Sequence, residues 1–304
     1  MLKPGWHDGM TATTYHADPC DVPSLSNSIA NVLLTRSPLH AWRAHPRLGN
    51  KVRESSDEQD RGSVVHALIL GEDERIVVLP FDDFKSKAAR AARDKALADG
   101  LIPVKTSLYR ECVTEAKEIQ ANLAKHGVVW GDGKGEQVER VAIWEEPTEL
   151  PNAETHILEP AKVLCRARMD VVHGNVIHDI KTTREGTDDA IERAIRTYGY
   201  HVQRAAYVSA FERLEPQWAG RVEFVLWFIE SETLEVIPVE LGGELRTIGE
   251  QRWRRAVDAW AKCLQANKWP GYAPAGKRVI ECSQWAMTND QYAAIELSER
   301  MAGV

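Results

Sequence analysis

Cysteine is scarce in this chain, with five among 304 residues, at positions 20, 112, 165, 263 and 282. None forms a CxxC pair, so neither a disulfide framework nor an iron–sulfur cluster is expected. No apolar run approaches the roughly 18 residues that would suggest a membrane span. The opening MLKPGWHDGM has no apolar core of a secretory signal. These absences describe a reduced, cytoplasmic protein without a membrane partner. Internal repeats and low-complexity tracts are also missing, which excludes a solenoid. Positive charge is in deficit: 38 Lys and Arg stand against 45 Asp and Glu, a formal net charge of -7. Nothing in the bulk charge therefore draws the chain toward a polyanion. A basic groove can still coexist with an acidic exterior.

What remains is an ordinary globular composition, 43% hydrophobic and 27% charged. Residues 25–44 read as a helix that Ser26 caps and Pro38 disturbs. Residues 46–61 are polar and read as an exposed loop, and 62–71 as a short apolar helix carrying His66. Helical spacing recurs at 84–98, 107–125, 187–212 and 244–267. Between these lie strand-like runs at 136–145, 163–172, 175–181, 221–229 and 233–239. The expectation is an α/β (α+β) fold with helices on a mixed central sheet. It treats 1–304 as a single domain, with 1–130 mainly helical and 131–272 the sheet core.

Chemistry concentrates in LCRARMDVVHGNVIHDIKTT, residues 164–183. His173-Gly174-Asn175 is turn chemistry between two strands, hence a β-hairpin. Alternation puts Arg166, Arg168 and Asp170 on one face, with Ala167, Met169 and Val171 on the other. Asp179 and Lys181 share a face of the second strand, and folding back brings Asp170 near Asp179. A salt-bridged surface hairpin would carry the same residues. Against that, Val171, Ile177 and Ile180 surround the charges with apolar neighbours, and Glu139 opens a further alternating run, ERVAIW.

Phosphodiester hydrolysis gives these residue types a common purpose. Mg²⁺ takes carboxylate and carbonyl oxygens, which Asp170, Asp179 and the Ile180 carbonyl can supply. Glu139 is placed for a second ion or an attacking water. Lys181 suits water orientation and charge on the phosphate, and Arg166 or Arg168 a guanidinium clamp on oxygen.

Five pieces occur in order: Gly62-Ser63 through His66, Glu139 through Trp144, Cys165 through Asp170, Asp179-Ile-Lys-Thr-Thr183, and Tyr200-His-Val-Gln203 through Tyr207. Together they resemble the PD-(D/E)XK nuclease superfamily, and within it the RecE-like exonucleases of the exodeoxyribonuclease VIII type. Met169 stands where that pattern often has proline. The resemblance implies a Mg²⁺-dependent enzyme, with Mn²⁺ as an alternative ion, that degrades linear double-stranded DNA from its 5′ ends. It also implies a ring-like trimer or tetramer that works with a RecT-like single-strand annealing protein in phage or prophage recombination. His66 alone reads as a packed core histidine; the resemblance makes it a metal neighbour.

Gln203 and Tyr207 share one helix face and read equally as buried anchors or site residues; the resemblance favours the site. The DNA-contact set is then Arg61, Arg166, Arg168, Thr182 and Tyr207. Ser24, Ser26 and Ser28 read as one cap plus exposed hydroxyls, and Lys85, Lys87, Arg90, Arg93 and Lys95 as a solvated helix face. Gly131-Asp-Gly133-Lys-Gly135 lacks phosphate-loop spacing and precedes a strand, so nucleotide binding is rejected there. Two other readings remain at this stage: a single-strand, flap or CRISPR-associated nuclease of the same fold, and a non-catalytic DNA-binding scaffold.

Overall fold

The computed structural model describes residues 2–49, 57–130, 135–272, 277 and 279–302, with the side chains of 57–60 and 302 left aside. In chain order come β1 (Gly5–His7), α1 (Ala12–His16), β2 (Leu25–Ser26), α2 (Asn27–Thr35), α3 (Pro38–Ala44) and α4 (Asp57–Ile69). Next are β3 (Ile76–Leu79), α5 (Lys87–Ala98), β4 (Ile102–Lys105), α6 (Thr106–Lys125), β5 (Glu136–Pro151), β6 (Leu158–His173) and β7 (Val176–Thr183). The chain continues with α7 (Asp188–Tyr198), α8 (Tyr200–Leu214), β8 (Glu223–Glu230), β9 (Val236–Val239), α9 (Gly243–Ala266) and α10 (Gln284–Ala302). Two compact units result, Met1–Trp269 and Pro270–Val304. The second consists of the 270–304 segment and its helix α10.

In the first unit a seven-stranded mixed sheet runs β1-β5-β6-β7-β8-β9, with β2 added in parallel beside β6. The β7–β8 pair is also parallel, and the remaining neighbours on the path are antiparallel. One sheet face buries Ala142, Trp144, Ala167, Met169, Phe224, Leu226 and Phe228 against α2, α8 and α9. The other packs Val171, Ile180, Trp227 and Ile229 with Val64, Val65, Ile69, Ile119 and Leu123 of α4 and α6. Helix–sheet–helix layering follows from these strands being apolar on both faces.

The expected helix over 25–44 is broken. Leu25 and Ser26 pair with β6, Ser26 then caps α2 by accepting from Ile29 N at 3.4 Å, and Ser37 with Pro38 restarts the helix as α3. The expected helix over 187–212 is likewise two helices. Gly199 sits at φ +76 between α7 and α8, a left-handed cap that glycine adopts without Cβ strain. Residues 57–61 belong to α4 rather than to the exposed loop expected over 46–61. The reading of 131–135 falls mainly outside the described residues.

The β6–β7 hairpin turns through Gly174, at φ +59, and Asn175, as its turn chemistry predicts. Its register covers only His173↔Val176, Val172↔Ile177 and Val171↔His178. Farther along the same edge of β6, β2 takes over at Cys165 and Arg166. Between those two partners the sheet opens, and side chains replace the missing ladder. Asp170 Oδ2 accepts from Ile180 N at 2.7 Å, and Tyr207 donates its hydroxyl to Arg168 O at 2.8 Å. The face expected for Val171 is corrected: it packs with Ile180, not with Ala167 and Met169.

Candidate metal centre and its cleft

The gap in the sheet lies in an open cleft of about 2200 Å³ between the sheet, α4, α6 and α7. That exceeds the 300–1,000 Å³ usual for small-molecule pockets and suits a macromolecular strand. Three ligating side chains meet there. Atoms of His66, Glu139 and Asp170 all lie within 4.8 Å of one another. His66 Nε2 is 3.2 Å from Glu139 Oε1 and 3.7 Å from Asp170 Oδ1.

Each element delivers its ligand for a local reason. The apolar face of α4 (Val64, Val65, Ile69) is pinned to the sheet, which leaves His66 at the cleft edge. Asp170 sits where β6 leaves β7. Glu139 holds φ +53, a left-handed conformation costly for a residue with a Cβ, and its carboxylate is buried. Such strain persists where the surroundings over-determine it. Here the Arg168 guanidinium and His66 both grip the Glu139 carboxylate.

Charge in the cluster is mutually balanced. Burial disfavours charge on Glu139, yet contacts from His66 and Arg168 hold its pKa below the usual carboxylate value. Burial likewise opposes protonation of His66, but Asp170 and Glu139 outweigh it and raise the imidazole pKa. The set of two carboxylates and one imidazole fits an oxygen-preferring divalent ion with one nitrogen ligand.

Asp179 and Lys181 share a strand face, as alternation predicts, but that face turns toward α8. Asp179 is 1% exposed and stands outside the ligand cluster. Gln203 donates to its Oδ1 at 2.6 Å, and Lys181 pairs with its other oxygen. Burial raises the Asp179 pKa despite Lys181, and Asp170 adds to the rise. The Lys181 ammonium also lies 4.8 Å from the Tyr200 ring centroid. Gln203 and Tyr207, four residues apart on α8, therefore both act on the site, one holding Asp179 and the other the Arg168 carbonyl.

One expected DNA contact is corrected. Arg166 is buried, and its guanidinium is used on Ser24 O at 2.9 Å, Ser24 Oγ at 2.6 Å and Asp18 at 3.2 Å. It fastens β6 to the N-terminal segment and does not face the cleft. Tyr207 does line the cleft, with its hydroxyl bound to the Arg168 carbonyl. Arg61 and Thr182 do line the cleft, with Arg61 bound to Glu115 and Glu111. Cleft residues that sequence reasoning missed include Tyr15, His16, Glu72, Arg75, Arg184, Arg193 and Tyr198. Only the i,i+3 spacing of Glu72 and Arg75, which form an ion pair, carried a local signal.

Comparison with known families places this arrangement. The family described as "PDDEXK-like domain of unknown function (DUF3799)" matches residues 47–281, which include every ligand above. The chain belongs to this family. A crystal structure from Eubacterium rectale, provisionally described as an exonuclease, is similar with a TM-score of 0.50 and 13% identity, covering 91% of this chain and 96% of that one. At that identity the likeness speaks for the fold. No curated protein matches the chain. The PDDEXK-like assignment agrees with the expected mixed-sheet core. Among the described residues no helix is long and apolar enough to cross a membrane.

Proposed function

We propose that this PDDEXK-like protein is a divalent-metal-dependent deoxyribonuclease that degrades linear double-stranded DNA. The observation that carries the reading is the meeting of His66, Glu139 and Asp170 within 4.8 Å in a strand-sized open cleft, backed by the buried Asp179–Lys181 pair. His66, Glu139, Asp170 and the Ile180 carbonyl would hold the ion, Mg²⁺ in the cell with Mn²⁺ accepted. When bound, such an ion polarises a phosphoryl oxygen and makes hydroxide available near neutral pH.

The protein's own groups do the rest. Asp179, fixed by Gln203, keeps Lys181 charged beside the cluster, where an ammonium offsets charge developing on phosphate. Arg168, its carbonyl anchored by Tyr207 and its guanidinium beside Glu139, would place a planar charged fork within reach of a non-bridging phosphate oxygen. By the resemblance to RecE-like enzymes, the reading extends to 5′–3′ polarity, 3′ single-stranded tails, a ring-like oligomer and an annealing partner.

End-labelled linear duplex tests the proposal. Loss of label at the 5′ end with Mg²⁺, none with chelator, and survival of a covalently closed circle are the expected results. Rapid cutting of the closed circle would point to an endonuclease, and inertness toward all DNA would end the nuclease reading.

A further inference from the structure

The α7 side of the cleft has chemistry that the metal cluster does not use. Most cations lining the cleft are already paired: Arg61 with Glu115 and Glu111, Arg75 with Glu72, Arg168 with Glu139. Arg184 and Arg193 are different. Both are exposed, both line the cleft, and neither meets a carboxylate among the described residues. Glu185, the acid beside Arg184, accepts from Thr187 Oγ1 at 2.9 Å.

Helix α7 buries Ile191 and Ile195 on its far side. Toward the cleft it presents Ala190, Arg193, Ala194 and Thr197, which lets a strand approach closely. At its end Tyr198 is 60% exposed and also lines the cleft. This tyrosine is held in place. Gly199 closes the helix in the left-handed region by donating its N–H to Ile195 O, and Asn31 Nδ2 donates to Tyr198 O at 3.2 Å. The Tyr198 ring lies against Tyr200 with centroids 5.7 Å apart and planes at 32°. Tyr200 in turn covers the Lys181 ammonium. An exposed aromatic face is thus built into the site two rings from its lysine.

We infer that the α7 wall is the strand-binding surface of the cleft, with Arg184 and Arg193 on phosphates and Tyr198 stacking on a nucleobase. Unpaired guanidiniums beside a rigid, exposed ring are how proteins track a nucleic-acid strand without reading its sequence. The inference deepens the nuclease reading and rests on it, because it assigns the substrate's path through the same cleft.

Binding of fluorescent DNA is measured with Ca²⁺ replacing Mg²⁺, on duplex with normal ends and on duplex whose terminal nucleotides are abasic. Tyr198→Leu is expected to bind normal ends about tenfold more weakly, the effect of losing one base stack. It should match the unaltered protein on abasic ends, while Tyr198→Phe behaves as the unaltered protein on both. Arg193→Gln should reduce the salt slope of log affinity by about one. If the protein digests linear DNA but these variants bind every substrate as it does, the α7 wall is not the strand surface. An equal loss for Tyr198→Leu on both DNAs likewise overturns stacking. If the protein neither binds nor cuts DNA, the nuclease reading falls first and takes this inference with it.

Discussion

Glu139 and Asp170 come from the adjacent strands β5 and β6 and His66 from the distant α4, and each is a poor surface residue where it stands. Glu139 is strained and buried, Asp170 replaces a strand partner, and His66 carries a raised pKa beside two carboxylates. Natural sequences tolerate such local conflicts where function requires them. Lys181 belongs to the same group though it faces α8. Lys181→Ala is expected to lower kcat on the order of 10²-fold while DNA affinity changes little, since its charge matters most as charge builds on the phosphate. Single-turnover rates beside equilibrium binding check this, and equal losses in both would make Lys181 a simple phosphate contact. The acidic and basic types at residues 164–183 were legible in the sequence. The division of labour between Arg168, at the cleft, and Arg166, buried on Asp18 and Ser24, was not. Alternation gives both the same face, and only the arrival of β2 beside β6 covers one of them.

Among the elements, α8 decides the geometry of the site, because Gln203 and Tyr207 both project from it. Its position is set partly by close approach to α9. A Cβ added at Gly249 of α9 would lie 2.1 Å from the His201 carbonyl oxygen of α8, so the two helices meet backbone to backbone there. Gly249→Ala should therefore destabilise the fold by about 1–3 kcal/mol, read from denaturant unfolding; unchanged stability would show that the helices can part freely. Hydrophobic periodicity found α5, α6, α9 and the five main strands. Pro38 marked the disturbance at which α3 restarts, while the break at Gly199 lay inside a run whose helical period continues across it. The short β2 and the β3–β4 pair escaped because two to four residues carry too little alternation to register.

For the whole molecule, the buried Asp18 junction ties the N-terminal segment to the sheet and links stability to pH. Burial alone would raise the Asp18 pKa, but bonds from His45 and Ser24 and the Arg166 charge bring it down to about 2. A carboxylate depressed in the folded state stabilises the protein above its unfolded pKa of 3.8, and that stability is lost as pH falls from about 4 toward 2. The linked contribution is roughly 2 kcal/mol. Asp18→Asn should lose it near neutrality and show a flatter acid limb in pH-dependent melting; an unaltered limb would place the acid sensitivity elsewhere. The sequence by itself determined the secondary-structure types, the β6–β7 hairpin, the helix–sheet layering and the kind of chemistry, because periodicity and turn residues are local. Tertiary structure decided which carboxylates come together, which arginine reaches the cleft and what lies on the α7 wall. Those depend on where β6 exchanges β7 for β2 and on how closely α8 and α9 approach, and no run of neighbouring residues records either.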